Sequence, residues 1–391
     1  MRLLMLHNRY REPGGEDEVF AAERDLMRAG GHQVTEYQET NEAIGPEHRG
    51  RAAARAIWSE PARDKVRALL KGSRSQVAHF NNTFFRISPS AYYACREERV
   101  AVVQTLHNYR LLCPAATLYR QGAVCEACVG APLQTPAIAM GCYRDSRLES
   151  ALVAAVTATH RWLGTWRDAI SVYVATTEFA RRKFVEGGLP AEKIVVKPNF
   201  VHPDPGPRDG GGGYALFVGR LAPEKGLRTL MKAWSSLGEI PLKLAGGGPL
   251  AGEVAAWAAE RAGGKVEWLG RCERSEIFAL MKGARFLVFP SEWYEGFPVT
   301  IAEAFACGLP VIVSRLGAMA EIVDDGRTGL HFTAGDSAGL AGTVARAWSQ
   351  PELMRELGEA ARREYETRYS AAQNADQLVK IYERAMAECV P

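Results

Sequence analysis

Two glutamates eight residues apart, Glu295 and Glu303, flank the turn Gly296-Phe297-Pro298 in WYEGFPVTIAEAFACGLPVIV, residues 293–313. Pro298 suits the first position of a helix, where its missing N–H would be unpaired in any case. Gly308 suits the position just past the helix end, where a left-handed backbone costs glycine little. The opening amides of Val299 and Thr300 are then free to bind an anion. The Glu303 side chain leans back toward the helix start. Two carboxylates with an anion site between them can hold two hydroxylated groups joined by a charged one, as in a sugar, a diphosphate and a ribose. Upstream, YALFVGR ends an apolar run on Arg220, and Lys225 follows in APEKG. Two cations near one point suit a diphosphate leaving group, whose developing charge they stabilise. The run LAGGGP, residues 244–249, permits close backbone approach beside them.

The first half of the chain carries a second set. Gly14 and Gly15 lie between an apolar run and a helical pattern, in LLMLHNRYREPGGEDE, where a turn can receive phosphate. His107 ends the run VAVVQTLHN. Directly after it come Cys113, Cys125, Cys128 and Cys142, spaced C-x11-C-x2-C-x13-C, in a segment rich in turn residues. A long loop of this kind needs a staple, and the C-x2-C half has the spacing of a thiolate zinc site, so a structural Zn2+ on these four residues is expected. No Asp-x-Asp stands at a strand end, and no catalytic divalent metal is expected.

These residues need elements to carry them. In both halves short β-like runs alternate with helical ones, which implies parallel sheets wound on both faces. The segment VHPDPGPRDGGGG, residues 201–213, holds three prolines and five glycines and breaks the pattern. The expected organisation is a first Rossmann-like domain over 1–202 with a cysteine-rich insert at 108–146, a second over 203–370, and a helix at 371–391 crossing back onto the first. In open α/β sheets ligands bind at the carboxyl ends of the strands, where the residues above fall. The chain has 391 residues and a net charge of +3, too small for nucleic acid to be an expected partner. No apolar run is long enough to span a membrane, and the start MRLLMLHNRY reads as a strand, so a cytoplasmic protein is expected. Residues 48–75 hold eight basic residues against two acids, which raises peripheral contact with anionic lipid.

EGFPVTIAEA, GRLAPEKG and PVIVS together resemble the retaining glycosyltransferases of family 4, over almost the whole chain. The resemblance implies the GT-B fold, two Rossmann-like domains facing across a cleft. It implies that Glu295, with Gly296, Phe297 and Pro298, holds the donor sugar and that Glu303 holds the ribose. Arg220 and Lys225 match the family's cation pair, which with Val299, Thr300, Gly14 and Gly15 would grip the diphosphate. His107 matches its histidine near the transferred sugar, and Arg271, after VEWLG, would lie beside the base. The catalytic set is then His107, Arg220, Lys225 and Glu295. The implied donor is a nucleotide-diphosphate sugar, UDP-linked before GDP-linked. The acceptor would be a carbohydrate, a lipid-linked sugar or a small molecule, in polysaccharide or glycoconjugate biosynthesis. A sugar-nucleotide epimerase or a phosphorylase would share the fold. A zinc-dependent nucleic-acid-binding protein is the rival from another class. A nicotinamide dehydrogenase is disfavoured because no G-x-G-x-x-G follows the first strand.

Overall fold

Strands buried on both faces read as nearly continuous apolar runs, and the chain has two series of them. The computed structural model describes residues 1–9, 14–41, 54–210, 212–260 and 265–389. It divides the chain into two units. One comprises Met1–Leu118, Cys125–Asn199 and Ala371–Pro391; the other comprises Tyr119–Val124 and Phe200–Ser370.

In the first unit the strands are β1 (Arg2–Arg9), β2 (Gln33–Thr40), β3 (Val77–Asn82), β4 (Ala101–Leu106), β7 (Val172–Ala175) and β8 (Ile194–Val196). All pairings are parallel and the order is β2-β1-β3-β4-β7-β8, so the winding reverses between β1 and β3. Helix α1 (Gly15–Ala29) follows β1, α2 (Glu60–Ser73) precedes β3, and α3 (Arg147–Trp162) precedes β7. The last helix, Ala371–Glu388, packs Leu378, Ile381, Tyr382 and Ala385 on Leu3, Val77, Val103 and Val174. The short strands β5 (Tyr119–Arg120) and β6 (Ala123–Val124) form an antiparallel hairpin.

The second unit is built on β9 (Ala215–Val218), β10 (Leu242–Ala245), β11 (Val266–Trp268), β12 (Phe286–Phe289), β13 (Val311–Ser314) and β14 (Gly329–Phe332). Its order, β11-β10-β9-β12-β13-β14, is that of a dinucleotide-binding sheet, with the switch point between β9 and β12. Successive residues of a strand face opposite ways. Accordingly Leu216, Leu287 and Val311 enter one core cluster, while Ala215, Phe217, Val288 and Ile312 enter another. Helices cover both faces, among them α4 (Leu227–Trp234), α5 (Arg274–Gly283) and α6 (Val299–Ala306).

Polar contacts also cross the first unit's interior. Lys197 Nζ lies 2.7 Å from Glu23 Oε1, with both side chains 1% exposed. Burial alone would raise the Glu23 carboxyl, but the Lys197 charge and hydrogen bond outweigh it and hold the group below its usual range. Nearby, the Tyr382 hydroxyl meets His79 Nδ1 at 2.9 Å, and Thr105 meets His79 Nε2 at 2.8 Å. A buried pair deprived of one partner leaves an uncompensated charge. We therefore expect Lys197→Met to lower unfolding free energy by about 3–5 kcal/mol. Adding Glu23→Leu should restore most of it, and denaturant unfolding of the three proteins measures both. Equal stability of Lys197→Met and wild type would refute this account of the pair.

Candidate functional site

The second unit gathers its residues after β9 and β12, on either side of the switch point. β9 runs out through Gly219 to Arg220, and a single helical turn, Pro223–Lys225, presents Lys225. Gly226 then takes φ +69°, and a Cβ there would lie 1.9 Å from the Pro290 carbonyl oxygen. The loop after β9 and the loop after β12 therefore touch backbone to backbone. They are further joined where the Glu292 amide donates to the Glu224 carbonyl at 2.8 Å. Across this seam Lys225 Nζ donates to Glu295 Oε1 at 2.7 Å, and the Ser291 hydroxyl donates to the same oxygen at 2.6 Å. Glu295 is 6% exposed. The Lys225 ammonium also lies over the rings of Phe289 and Trp293, at 5.5 and 5.3 Å. Arg220, more open to solvent, is paired with Glu224.

Helix α6 carries the rest. Pro298 is its N-cap, one residue earlier than expected, because its ψ of 91° is extended and the helix opens at Val299. No side chain caps this end, so the amides of Val299 and Thr300 have no partner within the helix. Phe297 turns its ring onto Tyr369, centroids 5.7 Å apart. Glu303 is buried, with Arg274 Nη2 3.3 Å from its Oε1. Gly308 takes φ +66° after the helix end. Arg271 lies against the glycine loop; a Cβ on Gly247 would stand 2.8 Å from its Nε. Arg220, Lys225, Glu295, Glu303 and Arg271 thus all border the carboxyl ends of one sheet. Sequence reasoning missed Ser291, Trp293, Glu224 and Arg274. Only Ser291, four residues before Glu295 in the same loop, carried a usable signal.

In the first unit, His107 follows β4 and its Nε2 lies 2.7 Å from Asn81 Oδ1, at the end of β3. Burial pushes its pKa down to about 3, so the ring is neutral and Nε2 donates to Asn81. The His79 pKa falls to about 4, again through burial. Gly14 caps α1, but its N–H donates to Asp17 Oδ2 at 2.8 Å. Although burial would raise Asp17, hydrogen bonds from His7 and Gly14 hold it below its normal value. Asp17, in the first turn of α1, thus already supplies negative charge at that helix start. Segment 48–75 lies partly outside the described residues. In its described part, Arg63 pairs with Glu60 and Glu97, Arg67 with Asp64 and Glu97, and Lys71 with Glu98.

The zinc expectation is corrected. Among the described residues no three His, Cys, Asp or Glu side chains are placed to hold a metal ion. Cys113, Cys125, Cys128 and Cys142 come near enough to feel one another's charge, but burial and those neighbours push the Cys128 thiol up to about 11, away from the thiolate. Other contacts staple the loop. Leu112, Leu118 and Tyr109 are buried. Gln134 Nε2 donates to the Leu111 carbonyl, Arg161 to that of Ala131, and Lys183 meets Glu126 at 2.9 Å.

Two parallel Rossmann-like sheets, with cations and carboxylates at the switch point of the second, define the GT-B class. Residues 202–364 match the family described as Glycosyl transferases group 1. Phosphatidyl-myo-inositol mannosyltransferase of Mycobacterium leprae is 31% identical over 236 residues, 56% of this chain and 61% of that one. The chain thus spans less than two thirds of that relative. Among solved structures, Anabaena HepE in complex with UDP shares the fold with a TM-score of 0.70 at 18% identity, over 98% of this chain and 100% of that one. Sucrose-phosphate synthase from Thermosynechococcus elongatus does so with a TM-score of 0.72 at 16% identity, over 99% and 100%.

Two outcomes follow from this geometry. Gly226→Ala forces a side chain into a left-handed position against the Pro290 carbonyl, and should cost about 2–3 kcal/mol in denaturant unfolding; a neutral effect would refute the close seam. His107 and His79 are neutral when folded but take up protons when unfolded below about pH 6.5. The unfolded chain then binds more protons, so stability falls with falling pH, from about 6.5 toward 4 and 3, by about 1.4 kcal/mol per unit for each histidine. His107→Gln should reduce the measured slope by that amount, and an unchanged slope would show that His107 titrates normally.

Proposed function

We propose that the protein is a retaining glycosyltransferase that moves a sugar from a nucleoside-diphosphate donor, UDP-linked before GDP-linked, to an acceptor hydroxyl in polysaccharide or glycoconjugate assembly. The observation that carries this reading is the Lys225–Glu295 contact across the switch point, inside the family-matched region. An ammonium and a carboxylate in contact are each poised to change partner, the one for a diphosphate and the other for a sugar hydroxyl. Arg220 and the α6 amides add to the anion site. Glu303 would take the ribose, and Arg271 would lie beside the base. The UDP bound to the Anabaena structure supports the choice of base. The acceptor is assigned to the first unit, around His107.

The departing diphosphate would be stabilised by Arg220, Lys225 and the helix-start amides, without a metal ion. Both carboxylates are already bonded to cations, Glu295 to Lys225 and Glu303 to Arg274. That supports front-side displacement over a carboxylate nucleophile. The anomeric bond to the phosphate oxygen breaks as the acceptor oxygen bonds from the same face, and the departing oxygen takes the acceptor's proton.

Donor binding raises apparent stability by mass action. In a thermal-shift panel of UDP-, GDP-, ADP- and TDP-sugars, we expect the largest rise with a UDP-sugar. Glu303→Ala should weaken that donor about tenfold or more, the loss of a hydrogen bond to a charged group. Full donor affinity in Glu303→Ala would overturn the ribose assignment. Conversion of the nucleotide sugar to an isomer without any acceptor would replace transfer by epimerisation.

A further inference from the structure

At the carboxyl ends of β3 and β4 the first unit holds a cavity of about 60 Å³, walled by Asn81, Phe84, Gln104, His107, Arg110 and Trp166 among others. One water needs about 10–15 Å³ of such space, so the cavity takes a group of a few heavy atoms rather than a sugar ring. Two of its side chains leave a buried atom without a hydrogen-bond partner, the Nδ2 of Asn81 and the Nε of Arg110, and both are donors.

Neither donor is free to turn away. Asn81 is 3% exposed, and its Oδ1 is held by His107. Arg110 donates an Nη1 proton to the Pro114 carbonyl, and its guanidinium lies over the rings of Phe84 and Tyr143, at 4.7 and 5.2 Å. No carboxylate lines the cavity. Glu16 is the acid whose field reaches Arg110, and burial shifts it toward its neutral form, against the pull of an Asn108 hydrogen bond. His107 is neutral and contributes no competing charge. A buried donor left unmet costs about 1–3 kcal/mol, more when it is charged. The complement of two such donors, one of them cationic, is an oxygen ligand bearing negative charge.

The geometry points to this cavity as the seat of an anionic group on the acceptor, a carboxylate or a phosphate, bound by Arg110 and Asn81. The inference rests on the reading of the first unit as the acceptor-binding unit. A uronic acid would supply the carboxylate, and a sugar phosphate or lipid-linked phosphate the other. Water could meet the same donors, but it would give no preference for charge.

Calorimetric titration of the whole chain, without donor, tests this with glucuronate, glucose 1-phosphate and neutral methyl glucoside. We expect one of the two anions to bind the wild type about tenfold more tightly than Arg110→Gln does, with the stronger one identifying the source. Methyl glucoside should not distinguish the two proteins. Asn81→Asp keeps the side chain's size while placing a negative charge in the wall, and should weaken the anion by at least as much; it keeps the test open should Arg110→Gln fold poorly. Equal anion affinity in wild type and both variants would overturn the inference. Donor turnover by the wild type is read separately. Turnover without anion discrimination removes this seat and leaves glycosyl transfer standing; anion discrimination without donor binding or turnover does the reverse.

Discussion

The second unit is organised around one contact, an ammonium and a carboxylate held 2.7 Å apart with little access to water. Such a pair is maintained only if both ends are fixed, because each charge alone would be costly to bury. The fixing starts in the backbone. Gly226 allows the loop after β9 to meet the loop after β12, and Ser291 adds a second donor to the same carboxylate oxygen. The aromatic faces of Phe289 and Trp293 complete the surroundings of Lys225. A parallel sheet with its switch point between these strands is the frame that brings the two loops together.

The first unit meets the same difficulty, polar groups inside a parallel sheet, by a different route. In its interior it places the Glu23–Lys197 ion pair beside neutral polar groups. His79 and His107 are both deprotonated by burial and bonded to Tyr382, Thr105 and Asn81.

Much of this was legible in the sequence because it depends on local rules. Strand runs and the Pro298 and Gly308 helix boundaries follow from backbone preferences, with an error of one residue at Pro298. Lys225 and Glu295, seventy residues apart, could be placed together because strand ends in a doubly wound sheet converge. Tertiary partners were not legible. Arg274 reaches Glu303 from a different helix, and the sequence between them carries no periodic signal. The cysteine spacing misled for a related reason. C-x2-C marks a metal site only when the loop brings the other two thiolates to bonding distance, and here buried Leu112, Leu118 and Tyr109, with Gln134, Arg161 and Lys183, hold the loop instead. Gly14 showed the limit of reading a turn alone, since the acids behind it had already claimed its amide.

The last helix, Ala371–Glu388, covers apolar positions on β1, β3, β4 and β7 and places Tyr382 against His79. During synthesis the strands of the first unit leave the ribosome long before that cover exists. For the whole time that residues 200–370 are being made, the nascent first sheet presents Leu3, Val77, Val103 and Val174 without their partner. The middle of the chain can complete its own core first, because the residues of its two clusters all lie within that stretch. The first sheet therefore lacks one of its covering elements until translation of the last helix. Apolar surface left open in that interval is where the nascent chain is most exposed to aggregation.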